Sequence, residues 1–237
     1  MSRVIIVANA HLNHQGEVVA SSPSADRMVS AFTQAIAATG HDYQVVSPLI
    51  TKNFTLRSDD ILCPLTLQLP KLADNFEFEE QALFQNCQRI HELRHWVQTQ
   101  LGMWVLQDEQ QLGTFWLPIV CTSKGNLYGE VIEEDFMPNS YRQPLDLPDV
   151  IRQPLYNLGY QLLQHLEAKR GVYLLQFQIH TKQVVFDRLW PFPAAPAIAS
   201  IGIQQPDLYT CHWHCILDKP IQELFIPSSC VITPSTV

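Results

Sequence analysis

The chain has 237 residues, 46% of them hydrophobic and 16% charged, with a formal net charge of −8. That composition can fill a buried core and argues against disorder. The acidic balance, without basic runs, argues against a nucleic-acid groove or an anionic membrane as partner, and no apolar run approaches the roughly 20 residues of a membrane-spanning helix.

The opening MSRVIIVANAH has a short apolar run and no cleavage-type end. It reads as a first strand rather than a signal peptide. The cysteines are Cys63, Cys87, Cys121, Cys211, Cys215 and Cys230, and none forms a CxxC pair. Reduced thiols in a cytoplasmic protein are the expectation.

Val4 to Ala8 is a compact β-branched run, expected as a buried parallel strand. Asn9 to Val19 is expected as a turn. It lacks a GxGxxG and offers His11 and His14 at a strand end, where open α/β sheets bind ligands. A weak anion contact is one reading of the two histidines, and a polar loop is the plainer one. Ser22-Pro23 opens a helix, with Ser as cap and Pro in the first turn. Ala25, Met28, Phe32, Ala35 and Ile36 keep helical spacing, and Gly40 ends the helix. Tyr43 to Pro48 is the next strand, completing a βαβ unit.

Residues 50–75 look irregular, with Pro64 and Pro70. One helix is expected over 77–101, with Ala82, Leu83, Cys87, Ile90, Leu93, Val97 and Leu101 inward and Gly102 closing it. His91, Arg94 and His95 are expected on its solvated flank. Phe115 to Thr122 and Asn126 to Glu133 read as a hairpin around Ser123-Lys124-Gly125. Glu130, Glu133, Glu134 and Asp135 form an acidic run; magnesium is one reading, a solvated strand end the plainer one. Pro148 to Lys169 is an amphipathic helix with Val150, Ile151, Leu155, Leu158, Leu162 and Leu166 inward.

Residues 171–195 read GVYLLQFQIHTKQVVFDRLWPFPAA. Val172 to Ile179 and Gln183 to Trp190 are two strands turned at His180-Thr181-Lys182, and prolines end the ladder. Asp207 to Leu217 is a helix carrying Cys211-His212-Trp213-His214-Cys215. Cys211, His214 and Cys215 share a helical face and are zinc-ligand types, but no clear fourth ligand follows, so core packing is expected.

The hairpin at 171–195 resembles the catalytic hairpin of the ATP-grasp ligases, and most nearly the 5-(carboxyamino)imidazole ribonucleotide synthase family. There the first strand reads roughly GVFAVEFF and the second ends in NEIAPRPHNSG, with PFPAA here at PRPHN. The segment RIHELRHWVQTQLGMWV is similar to the family's helix before its nucleotide-binding lid. The 207–217 helix and the tail IPSSCVITP are similar to the segments that follow. The likeness runs from about Phe115 to Ile232 and extends to the helix at 77–101, and over residues 1–50 it is architectural.

The resemblance implies a fold and a site. The fold is α/β: an N-terminal βαβ domain over residues 1–102, then a reduced, lidless ATP-grasp-like α+β core over 103–237. The core is lidless because only Leu106 to Thr114 stand where the family has its lid, and Lys71 and Lys124 are not placed to replace the lid's lysines. In the family an acid on each strand holds the magnesium that bridges the ATP phosphates. Those positions are Gln176 and Arg188 here, with Asp187 at the preceding Asn, and the family's Arg, His and Asn fall on Phe192, Ala194 and Ala195. No catalytic residue, cofactor or metal is therefore expected.

The implied function is a non-catalytic binding, regulatory or assembly protein acting through an open apolar cleft. Arg188, Leu189, Trp190 and Phe192 would meet a protein partner, which the sequence does not name; a homodimer is one such arrangement. The alternative is a residual carboxylate–amine ligase, or a metal-free nucleotide or anion site in which Arg188 contacts a phosphate.

Overall fold

In a computed structural model, which describes residues 2–12, 18–48, 56–69, 78–108 and 110–227, the β-branched run Val4–Val7 is β1, buried at all four positions. Within the expected turn, Ala10–Leu12 (β2) and Val18–Ala20 (β3) pair as a small antiparallel ribbon. Helix α1 (Pro23–Ala37) starts where its cap predicts: the Ser22 side chain accepts from the Ala25 N–H. Its buried face is Met28, Phe32, Ala35 and Ile36, and Gly40 follows at φ +75°. Strand β4 (Tyr43–Val46) lies parallel to β1.

Ile61–Pro64 (β5) pairs parallel on the other side of β1, inside a segment expected to be irregular. Pro64 is tolerated because β5 is an edge strand: Leu65 N donates to the Val7 carbonyl, so residue 64 turns its missing N–H away from β1. The long helix is two, α2 (Gln81–Gln88) and α3 (Ile90–Leu101), parted by Arg89 at φ −84°, ψ 64°. The apolar spacing runs through the break unchanged, so spacing alone does not reveal it.

The larger sheet contains β6 (Trp104–Val105), β7 (Phe115–Thr122), β8 (Gly125–Tyr128), β9 (Val131–Glu134), β10 (Tyr141–Leu145), β11 (Gly171–His180) and β12 (Gln183–Trp190). Its order is β10-β9-β7-β11-β12-β6, with β8 also on β7. The expected strand 126–133 is interrupted at Gly129-Glu130, and β10 lies in a segment where no strand is expected. Helix α4 (Asp149–His165) follows β10. Its residues Ile151, Leu155, Leu158 and Leu162 are buried, as is Leu166 just beyond, but Val150 is 66% exposed. At about 100° per residue, Val150 lies well off the stripe its neighbours define. A 3-10 turn (Ala195–Ser200) leads to α5 (Leu208–Ile216), capped by the Asp207 carboxylate.

Strand β11 alternates between two cores. Tyr173, Leu175 and Phe177 pack with Leu155, Leu158 and Leu162 of α4. Val172 and Leu174 join Trp213 of α5 with Val4, Ile6, Phe32 and Ile36. The second core crosses residue 102. Trp213 meets Phe32 edge-on at 6.2 Å and donates to Thr39 Oγ1 at 2.9 Å. Among the described residues, no helix is long and apolar enough to cross a membrane.

Candidate functional site

Gln176 pairs with Arg188 across the β11–β12 hairpin, but Phe177 pairs with Phe186. Asp187 is the extra residue of a bulge, and a bulge re-aims a side chain. It turns the Asp187 carboxylate inward, where it is fully buried. One carboxylate oxygen accepts from Arg94 Nη2 at 2.6 Å and from Arg188 Nε at 3.0 Å, and the other accepts from the Gly113 N–H at 2.9 Å. Arg94 also donates to the Asp187 and Asp108 carbonyls, at 3.0 and 3.3 Å. The sequence placed Arg94 on a solvated flank; it is 3% exposed, because it answers this buried charge. The signal was its place on the stripe of Leu93 and Val97.

Gln176, 4% exposed, is equally committed. Its Nε2 donates to the Gly113 carbonyl at 2.6 Å, and its Oε1 accepts from the Trp190 indole N–H at 2.8 Å. Gly113 is thus held through both backbone polar groups. It must be glycine: a Cβ there would stand 2.4 Å from the Phe177 carbonyl oxygen.

The donor set does not fit a magnesium ion bridging ATP phosphates. The first acid position holds a neutral amide with both ends occupied. The second holds a guanidinium, and the neighbouring carboxylate is bonded to two arginines and an N–H. A metal wants free carboxylate oxygens, and at these hairpin positions both oxygens of the one carboxylate, Asp187, are engaged.

The expected partner patch divides. Leu189 and Phe192 are 1% and 2% exposed and so are closed to a partner. Phe192 stacks on Phe84 of α2, centroids 6.0 Å apart, so the N-terminal half covers it. Trp190 stays half-buried, with the Arg188 guanidinium 5.9 Å from its ring centroid. Ala194 is buried and Ala195 half-buried. His11 is exposed on β2 and outside the cleft lining, while His14, Lys71 and Cys230 lie outside the described residues.

Trp190 and Gln176 instead face a cleft of about 540 Å³ between the two halves. Asn9, Ser22, Met28 and Thr66 line it from the N-terminal half, at the carboxyl ends of β1 and β5. Gly113, Trp116, Glu134, Tyr141 and Phe192 line it from the core. Burial, with the Glu134 charge adding to it, pushes the Tyr141 hydroxyl pKa up. Gly113, Tyr141 and Thr66 carry no local signal in the sequence and meet only once both sheets are built.

The Cys-His helix packs inward: Cys211, His212, Trp213 and Cys215 are buried. Among the described residues no group of three or more His, Cys, Asp or Glu side chains is placed to hold a metal. His212 Nδ1 accepts from the Val172 N–H at 3.0 Å, and burial lowers its pKa to about 3.

No family model matches the chain, and no curated protein sequence does. Solved structures do. The phosphoribosylaminoimidazole carboxylase ATPase subunit of Aquifex aeolicus matches with a TM-score of 0.65 at 12% identity, over 94% of this chain and 79% of its own. The N5-carboxyaminoimidazole ribonucleotide synthetase of Thermotoga maritima gives 0.62 at 11%, over 94% and 78%. Glycinamide-RNase-transformylase T of Mycobacterium tuberculosis gives 0.62 at 13%, over 92% and 80%. At these identities the likeness is one of fold.

Proposed function

We propose that this chain, which has an ATP-grasp-like fold, is a non-catalytic binding protein whose cleft takes a ligand without magnesium-ATP. The observation that carries this reading is the engagement of both ends of the Gln176 amide and both oxygens of Asp187 in hydrogen bonds within the chain. Phosphoryl chemistry needs metal ions and cations aimed at the phosphates. Here the cation at the second acid position is turned back onto Asp187. The solved structures are named as a synthetase, an ATPase subunit and a transformylase, and this chain shares their fold.

A protein partner is the second reading, favoured by the tip between β9 and β10. Phe136 and Met137 are 99% and 71% exposed there, beside the cleft residues Glu134 and Asn139. A partner seated on that rim would bury both.

The test is thermal unfolding with millimolar ATP, with and without magnesium, beside a phosphate-release assay. A bound ligand raises the midpoint by mass action. We expect no magnesium-dependent rise and no phosphate release, including in a Gln176→Glu/Arg188→Glu variant. A magnesium-dependent rise, with or without turnover, overturns the reading.

A further inference from the structure

The cleft wall is aromatic and nearly chargeless. Two half-buried rings, Tyr141 and Trp190, open onto it, and two buried rings, Trp116 and Phe192, at 5% and 2% exposure, back them. Trp116 and Tyr141 meet edge-on at 5.5 Å, as do Trp190 and Phe192 at 6.0 Å. Among the described lining residues the only charged side chain is Glu134, and no Lys, Arg or His is present. Arg188 stands over the Trp190 ring but is outside the lining, with its Nε on Asp187.

The rings are also fixed in place. Trp190 is tethered through its indole N–H to Gln176 Oε1. Around the rings are neutral polar groups. The Tyr141 hydroxyl has no hydrogen-bond partner among the described residues. Asn9, an exposed residue, uses its Oδ1 to accept from Thr66 Oγ1. The volume, about 540 Å³, is that of a small-molecule site.

From this wall, and resting on the binding role proposed above, we infer that the cleft takes an uncharged planar heterocycle of nucleobase or nucleoside size, and discriminates against its phosphorylated forms. Rigid rings bind a planar π-face by stacking, and neutral donors and acceptors read its edges. A phosphate in the same space would lose its water, meet the Glu134 carboxylate, and find no cation among the described lining residues.

The experiment is a titration of the full chain, in chelator, with adenosine, guanosine, cytidine and uridine and with their 5′-monophosphates. It is read by tryptophan fluorescence and by the unfolding midpoint. At least one nucleoside is expected to saturate both signals, with its monophosphate binding at least tenfold more weakly. Trp190→Ala is expected to weaken the nucleoside tenfold or more, whereas Trp104→Ala, 60% exposed on β6 and outside the lining, leaves it unchanged. Should Trp190→Ala fail to fold, Glu134→Lys, at an exposed position, supplies the test: it should narrow the gap between nucleoside and monophosphate.

A monophosphate that binds as tightly as its nucleoside overturns the inference, and so does a panel in which no compound moves either signal. Metal-free ATP binding without turnover sinks only this inference. ATP turnover with magnesium sinks the binding role as well.

Discussion

The Asp187 carboxylate, fully buried, is balanced by Arg94 at 4% side-chain exposure and Arg188 at 14%. Removing it would leave the Arg94 guanidinium buried and uncompensated. Asp187→Ala should therefore cost about 3–5 kcal/mol, read as a lower urea midpoint, and Arg188→Ala much less, since that side chain reaches water. His212 behaves differently. Burial holds its folded pKa near 3, against an ordinary 6.5. Between those values the unfolded chain takes up a proton that the folded chain refuses, so stability falls as pH drops from about 6.5 toward about 3 and is flat above. His212→Asn keeps an acceptor for the Val172 N–H and loses the titration. The drop in urea midpoint from pH 7.5 to 5.5 should be smaller in this variant than in the parent. Neither the Arg94 pairing nor the burial of His212 is readable locally, because their partners lie 93 and 40 positions away.

Elements whose signals are local were legible. Ser22-Pro23 marks the start of α1, alternation marks β11, and Pro191 and Pro193 end β12, because caps, period and breakers act over a few residues. Elements defined by a distant neighbour were not. β5 becomes a strand by lying on β1, and Gly113 matters because of Phe177, far along the chain. Gly113→Ala tests that second case: its Cβ would fall 2.4, 2.6 and 2.9 Å from the Phe177 backbone O, C and N, which cannot swing aside as a side chain would. We expect a loss of at least the 1–3 kcal/mol typical of overpacking, read by urea unfolding. A loss of tryptophan order should accompany it, since Gln176, the anchor of Trp190, also holds Gly113.

At the scale of the whole molecule, one core joins β1 and α1 to β11 and α5. The division expected at residue 102 follows the resemblance to the ATP-grasp ligases, and the core packs across that position. Trp213 sits inside that joint, edge-on to Phe32 and bonded to Thr39. Unfolding followed by tryptophan emission and by far-ultraviolet dichroism should therefore give coincident curves, whereas two separately stable halves would give two midpoints. The wiring of Asp187 also has a consequence in time. The β11–β12 hairpin closes on a two-residue turn, Thr181-Lys182, and such hairpins form in about 1–10 μs. The bonds from Asp187 to Gly113 and Arg94 span 74 and 93 positions and must await the docking of distant chain. Bonds of that span made after the rate-limiting barrier would act as a latch on the finished fold, and the kinetics of a variant test this. In stopped-flow measurements Asp187→Ala should refold at nearly the parent rate and unfold far faster.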